Sequence, residues 1–504
     1  MPPARASAMH VTDRNSLPVP RSIGQGVSAG ARRITGRATA EPGGAARPIG
    51  PSAPPRPPYR GWMTSTDERP TLRRTVTTTG LFLFILGDVL GAGVYVLAGE
   101  IAGIAGGALW VPLVVALLLA LLTAGSYAEL ATKYPRAGGS SHYATRAFGP
   151  FAGFLVGFCM LSAGIVSVGA LALGFAGDYL GAFVSLPAVL VVVVFLALLA
   201  ALNTRGISES LGANRVATLI EVGGLLLVIV LGAIVIGRGE GDLGRLTELG
   251  TPENGPVAAV LAGTVLAFYS YVGFETSVNI AEETKDPSRS YPRALFGALI
   301  VTGVVYALIG VVASAVVPTE ELAGSSAPLA LVVEAAGIVP PVVFSAIALI
   351  AVANGALLTG IMSSRLAYGM ASDGLLPRVL TRVLPGRRTP WVAILVTTAL
   401  SILLALTGTI DVLAGTMVLL LLVVFLSVNA AVLVLRRDRP EHRHFRVPAV
   451  LPVGGLISCL LLMTQVEWAV WRLGLPFLVV AALLAGLAAW RRRRAGEHTG
   501  ADAA

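Results

Sequence analysis

Charge is scarce in this chain. Only 13% of its 504 residues are Asp, Glu, Lys or Arg, against about 25% in a soluble globular protein. That shortage argues against a surface wetted on all sides. Lysine is nearly absent: Lys133 and Lys285 stand against 35 arginines. Neither follows the glycines of a phosphate-binding loop, so a primary ATP-driven pump would need a partner chain to supply its nucleotide site. With abundant Ala, Gly and Val, the Arg bias suggests a GC-rich bacterial genome. Cysteine is limited to Cys159 and Cys459, which excludes a disulfide scaffold and a cysteine-based zinc site. Both sit in apolar runs and read as buried thiols. All five histidines, His10, His142, His442, His444 and His498, fall in tails or loops. His442 and His444 read as a solvated basic loop rather than a metal site. There is no H-E-x-x-H and no G-x-S-x-G, and no nucleophile, base and orienter can be recognised. No enzyme activity, metal or cofactor is expected.

Apolar residues are plentiful instead: 55% of the chain is hydrophobic and the mean hydropathy is +0.78. Residues 1–62 are the exception. They are rich in Pro, Gly, Ala and Arg, with nine arginines against Asp13 and Glu41, a composition that cannot bury a core and predicts disorder. No apolar run precedes the one at Leu81, so a cleaved signal peptide is not expected. Met63 opens a more ordinary segment and is the expected true start. Thereafter apolar stretches recur, each near the roughly 20 residues that cross a bilayer. Twelve spans are predicted, at 78–99, 105–131, 149–174, 186–203, 214–236, 256–280, 294–317, 337–363, 390–407, 411–435, 448–466 and 470–490. With both termini cytoplasmic, 34 of the 37 basic side chains fall inside, and only Arg238, Arg245 and Arg472 outside. This asymmetry is the positive-inside rule. The net charge of +9 therefore reports membrane orientation and requires no nucleic-acid partner; the expected surroundings are the lipid bilayer of the cell membrane.

Two spans carry breakers. The first contains Gly87-Asp88-Val89-Leu90-Gly91-Ala92-Gly93-Val94-Tyr95, where three glycines weaken the helix at mid-membrane. Either the small residues permit close helix packing, or the helix breaks and opens its backbone to a water-filled cavity. A dinucleotide fingerprint is rejected, because the third glycine is missing. The sixth span contains Phe268-Tyr269-Ser270-Tyr271-Val272-Gly273-Phe274-Glu275, again a glycine, a polar residue and an acid together. Spans one and six run in opposite directions. Two interrupted helices at corresponding positions of two halves point to an inverted repeat with a central site. Such a site suits a zwitterion. A half-helix N-terminus offers N–H groups and a positive dipole to a carboxylate. The carbonyls at the broken ends accept from an ammonium, and the aromatics of span six would close over the ligand.

Several segments carry a specific resemblance. LGAGVYVLAGEIAG (90–103) looks like the first-helix signature of the amino acid–polyamine–organocation superfamily, especially its cationic amino acid transporter branch. SYAELATKYPRAGGSSHYATRAFG (126–149) resembles the loop after the second helix of that family, and FYSYVGFETSVNIAEETKDPSRSYPRA (268–294) its sixth helix and following loop. SSRLAYGMASDGLLP (363–377) and HFRVP (444–448) are similar to the end of its eighth helix and the loop before its eleventh. The resemblance implies an all-α, leucine-transporter-type fold of twelve helices: two inverted five-helix repeats plus two extra helices. Its parts are a cytoplasmic region over 1–75, repeats over 76–240 and 250–436, spans eleven and twelve over 447–490, and a tail over 491–504. It implies amino acid transport by alternating access. The substrate site is expected at Val89, Leu90, Gly91, Ala92, Gly93, Tyr269, Ser270, Tyr271, Val272, Gly273 and Phe274. The amides of Ala92 and Gly93 would hold the carboxylate, and carbonyls of Val89, Tyr269, Ser270 and Val272 the amine. Tyr271 or Phe274 would gate the site.

Acids inside a membrane are costly and usually functional. Where this chain has Glu221, several members of the resembled family have a lysine associated with proton coupling. Glu221 is thus a proton-carrier candidate, a task that Asp88 could share; the alternative is that Glu221 snorkels or forms a structural pair, as with Arg215 near the cytoplasmic end. Glu275 either reads a substrate cation or, the favoured reading, stabilises the broken helix. Arg365 and Asp373 bracket the end of span eight, as a cytoplasmic gate or a solvated helix end. Span three holds no acid, which weighs against a cationic substrate despite the branch resemblance. The expected function is proton-coupled amino acid transport. An exchanger, a polyamine or amine permease and a transport-inactive sensor stand as alternatives.

Overall fold

The computed structural model describes residues 76–501 except 136–138, 206, 252–254, 439 and 441, and no side chains for 207–215 and 488–501. The N-terminal tract, Met63, Arg136 and Arg439 lie outside the described residues, as do the side chains of Arg215 and of Arg491 to Arg494.

Among the described residues every regular element is helical, because within a bilayer a segment must satisfy its own N–H and C=O groups. The first helices are α1 (Thr78–Val89), α2 (Gly93–Ala105), α3 (Trp110–Lys133), α4 (Gly139–Phe148), α5 (Pro150–Phe175), the short α6 (Asp178–Gly181), α7 (Ala188–Arg205) and α8 (Ile207–Gly237). There follow α9 (Pro256–Tyr269), a 3₁₀ segment (Phe274–Glu283), α10 (Pro287–Val316), the short α11 (Thr319–Ala323) and α12 (Pro328–Ala336), and α13 (Pro341–Ser372). The last are α14 (Trp391–Thr407), α15 (Ile410–Leu435), α16 (Val450–Thr464) and α17 (Trp468–Ala501). Among the described residues nine helices are long and apolar enough to cross a membrane, or ten if the bent pair α1 and α2 is one span; α14 and α16 are shorter apolar helices. Leu219, Val257, Ile457 and Leu483, which a soluble protein would hide, are 62–75% exposed on helix exteriors. The chain is a multi-pass helical membrane protein.

Some helices outrun their apolar stretches. α10 starts at Pro287 and α13 runs to Ser372, while hydropathy suggests 294 and 363. Proline favours the first helical turn, where its missing N–H costs nothing, and polar residues then extend each helix beyond the hydrocarbon.

Helix α5 sits centrally, against α4, α13, α14, α15 and α17. A few polar cross-links hold the apolar helices in register. Asn429 of α15 accepts from Ser126 Oγ at 2.6 Å and donates to Thr123 Oγ1 at 3.2 Å, both on α3. One turn on, the buried Glu129 accepts from Val447 N at 3.0 Å and Arg436 Nη2 at 3.4 Å. Lys133 Nζ donates to Leu435 O at 2.6 Å. Arg146, Tyr134 and Asp438 complete the cluster: the Arg146–Asp438 pair is 2.6 Å, and the Tyr134 hydroxyl donates to Asp438 at 2.7 Å. These hydrogen bonds from Tyr134 and Arg146 hold the Asp438 carboxyl below its ordinary pKa.

Replacing Glu129 should be costly, since it strips Arg436 and the Val447 amide of their shared acceptor. We expect Glu129→Ala to destabilise the protein by about 3 kcal/mol, read as a lower melting temperature in detergent. An unchanged melting temperature would refute the assigned role.

Candidate functional site

The first break follows directly from its glycines. α1 ends as Leu90 turns to ψ 57°; Gly91 N bonds only two residues back, to Val89 O at 2.7 Å. The chain then restarts as α2 at Gly93, bent by 46°. Ala92 and Gly93 head that helix, where N–H groups have no partner a turn earlier. The second break begins as α9 tightens: the N–H groups of Ser270, Tyr271 and Val272 each bond three residues back at 3.1 Å. Gly273 reverses the chain at φ 130°, a conformation open to glycine and strained for other residues.

The two breaks lie against each other. A Cβ on Gly93 would stand 2.9 Å from Ser270 Cα, and one on Gly273 2.6 Å from Asp88 O. Side chains stitch the contact. The Thr276 hydroxyl reaches Asp88 Oδ2 and also Gly273 O at 2.8 Å, so its single proton serves one at a time. Tyr306 Oη donates to Val89 O at 2.8 Å. Glu275 Oε2 accepts from Gly273 N at 2.9 Å, an anchor for the break that carries it.

Between the breaks and α5, α13 and α15 opens a cavity of about 460 Å³. Asp88, Val89, Gly91, Ala92, Gly93, Tyr269, Ser270, Val272 and Gly273 line it. Opposite them stand Met160, Ala163, Gly164 and Ser167 of α5, Gly355 and Thr359 of α13, and Met417 and Leu421 of α15. The Ser270 hydroxyl is buried with no hydrogen-bond partner among the described residues, although buried polar atoms are nearly always paired. Tyr269 Oη and Ser167 Oγ, 2.8 Å apart, are bonded to each other.

Four expected site residues lie off the cavity wall. Leu90 is packed in the core. Tyr271 is wholly buried, its hydroxyl donating to Leu113 O at 2.9 Å. Phe274 stacks on Phe425 and meets Tyr127 edge-on. A tight turn sends successive side chains in different directions, so only Tyr269 of these aromatics faces the cavity. Glu221 also lies outside the wall. It is buried with Oε1 unpartnered among the described residues, and its carbonyl accepts from Tyr95 Oη at 2.6 Å. Thr276 could have been found beside Glu275 in the same segment. Met417 and Leu421 could not, since nothing distinguishes them within the uniformly apolar α15.

Comparison with known proteins adds four findings. The family profile described as amino acid permease matches residues 76–482. Over 437 residues the chain is 32% identical to an uncharacterized transporter of Mycobacterium tuberculosis, covering 86% of this chain and 95% of the relative. A branched-chain amino acid permease of Bacillus subtilis is 27% identical over 437 residues, or 81% of this chain and 91% of that one. A chloroplastic cationic amino acid transporter of Arabidopsis thaliana is 32% identical over 360 residues, or 66% and 61%.

The contact between the breaks is testable apart from any activity. Thr276→Val should cost about 1 kcal/mol through its hydrogen bond. Gly273→Ala should cost more, about 2 kcal/mol, because the new methyl meets backbone and the φ is strained. Thermal melting in detergent reads both, and the reverse order would contradict the geometry.

Proposed function

The chain belongs to the amino acid permease family, and we propose that it carries an amino acid across the cell membrane by alternating access, coupled to protons. The observation that carries the reading is the pair of abutting helix breaks around a cavity with a Ser270 hydroxyl that has no partner among the described residues. In this reading the amides of Ala92 and Gly93 hold the substrate carboxylate at the positive end of α2. The carbonyls of the second break and the Ser270 hydroxyl take the ammonium. Val89 O contributes less, because Tyr306 and Gly91 already occupy it. Tyr269, rather than Tyr271 or Phe274, closes the site.

The finer architecture belongs to the same proposal. Twelve spans arise when the bent pair, the second broken span and the shorter α14 and α16 all cross the bilayer. Spans one to five and six to ten then form inverted repeats, with both termini cytoplasmic. The opposed breaks of spans one and six support this arrangement. For the substrate, Met160, Leu171, Met417 and Leu421 line the cavity, and α5 carries no acid. Both features favour a neutral aliphatic side chain, as does the likeness to a branched-chain amino acid permease.

Glu221 is the proposed proton carrier. It is buried, with one oxygen unpartnered among the described residues, and an unpaired acid in a membrane interior is costly to retain without a use. Uptake of labelled amino acids into sodium-free proteoliposomes tests the proposal. We expect isoleucine to accumulate only with an inward proton gradient. Glu221→Gln should abolish that accumulation, by at least about tenfold, while sparing exchange against preloaded isoleucine. Full accumulation by the variant would pass the carrier role to Asp88. Movement only against preloaded substrate in the wild type would make the protein an exchanger.

A further inference from the structure

The cavity carries a charge pattern that substrate binding at the breaks does not use. Asp88 and Glu275 stand on the wall made by the two broken elements, and Arg365 stands on α13. Arg365 is the one cation among the described residues that line the cavity. Asp88 and Glu275 are occupied by the Thr276 hydroxyl and the Gly273 amide. Arg365 is half-buried. Among the described residues its side chain forms neither an ion pair nor a hydrogen bond. Half-exposed on the cavity wall, its guanidinium keeps its five donors free for a planar anion.

Its level in the cavity follows from α13. Gly355 of that helix abuts the first break: a Cβ there would lie 3.4 Å from Ala92 Cβ. Arg365 comes ten residues later, about 15 Å further along the helix axis. Helical side chains tilt toward the N-terminus, so the guanidinium leans back toward the break. Between them α13 adds Thr359 and Ser363 to the cavity wall.

We propose that Arg365 is a carboxylate-docking residue of the vestibule, a station that an α-amino carboxylate occupies between the breaks and the mouth where α13 ends. The fork of a guanidinium matches a carboxylate with two parallel hydrogen bonds. Asp88 and Glu275 repel that carboxylate from the opposite wall and attract the ammonium. The vestibule therefore admits zwitterions in one orientation and disfavours amines that lack a carboxylate. This inference rests on the transport reading and adds a selectivity element outside the break.

Sided kinetics on the full-length protein test it. Proteoliposomes of wild type, Arg365→Gln and Arg365→Lys are assayed with labelled isoleucine, one protein orientation being silenced by an impermeant thiol reagent at an engineered surface cysteine. Arg365→Gln should raise the half-saturating concentration about tenfold from the face where α13 ends, the loss of one charge-assisted contact. From the other face the change should stay under about twofold, within the spread of an uninvolved site. Arg365→Lys, a point charge without the fork, should fall between. An equal change from both faces, or none from either, overturns the proposal. Equilibrium binding of isoleucine and isoleucinamide in detergent separates this from failure of the transport reading. If the wild type binds isoleucine but moves none, transport is refuted. The docking role then stands if Arg365→Gln weakens isoleucine but not isoleucinamide, and falls if it weakens both alike. A wild type that binds neither refutes both readings.

Discussion

An N–H or C=O group inside a bilayer has no water to turn to, and the rest of this structure depends on that constraint. It makes every described regular element a helix. It also makes the two interruptions, at Leu90–Ala92 and Ser270–Gly273, the places where backbone needs partners from elsewhere. The fold supplies some by setting the breaks together, with Tyr306 on Val89 O and the Glu275 carboxylate on Gly273 N. Others, at the start of α2, face the cavity. Binding at this site, in the proposed function, is the completion of a backbone that the helices leave unfinished.

Polar side chains are few, and so each has a large consequence. Asn429, Glu129 and Lys133 tie α15 and the following loop to α3 at successive levels. Apolar packing alone holds helices in lipid without fixing their register, because the lipid is as apolar as the partner helix. The cross-links add direction. The charged cluster at one end of α3 and the vestibule charges at Asp88, Glu275 and Arg365 have opposite characters. In the first, acid and base meet and neutralise each other. In the second they stand apart on different walls, an arrangement that leaves the charges for a third party.

Much of the site was legible in the residues. Gly91, Gly93 and Gly273 announce the breaks, since a glycine at mid-membrane weakens a helix that lipid otherwise enforces. Tyr269, Ser270 and Asp88 lie beside them and line the cavity. Tyr271 and Phe274 carry the same sequence signal and point instead into the core, against Leu113, Phe425 and Tyr127. A turn of irregular backbone has no period, so which aromatic faces the cavity is unreadable from spacing. Glu221 was conspicuous as an acid in an apolar run. Its separation from the cavity wall depends on how α8 rotates about its axis.

The sequence by itself determined the helical class, the approximate position of each apolar stretch and the two points of interruption. Those properties follow from local composition and from the bilayer's thickness. Only the tertiary structure decided that the breaks touch, that Thr276 bonds Asp88, that Met417 and Leu421 face the cavity and that Arg365 lines it with no partner among the described residues. In a soluble helix an amphipathic period would have revealed which face turns inward. Here core and lipid are both apolar, so a helix such as α15 reads the same all round, and its orientation exists only in the packed bundle.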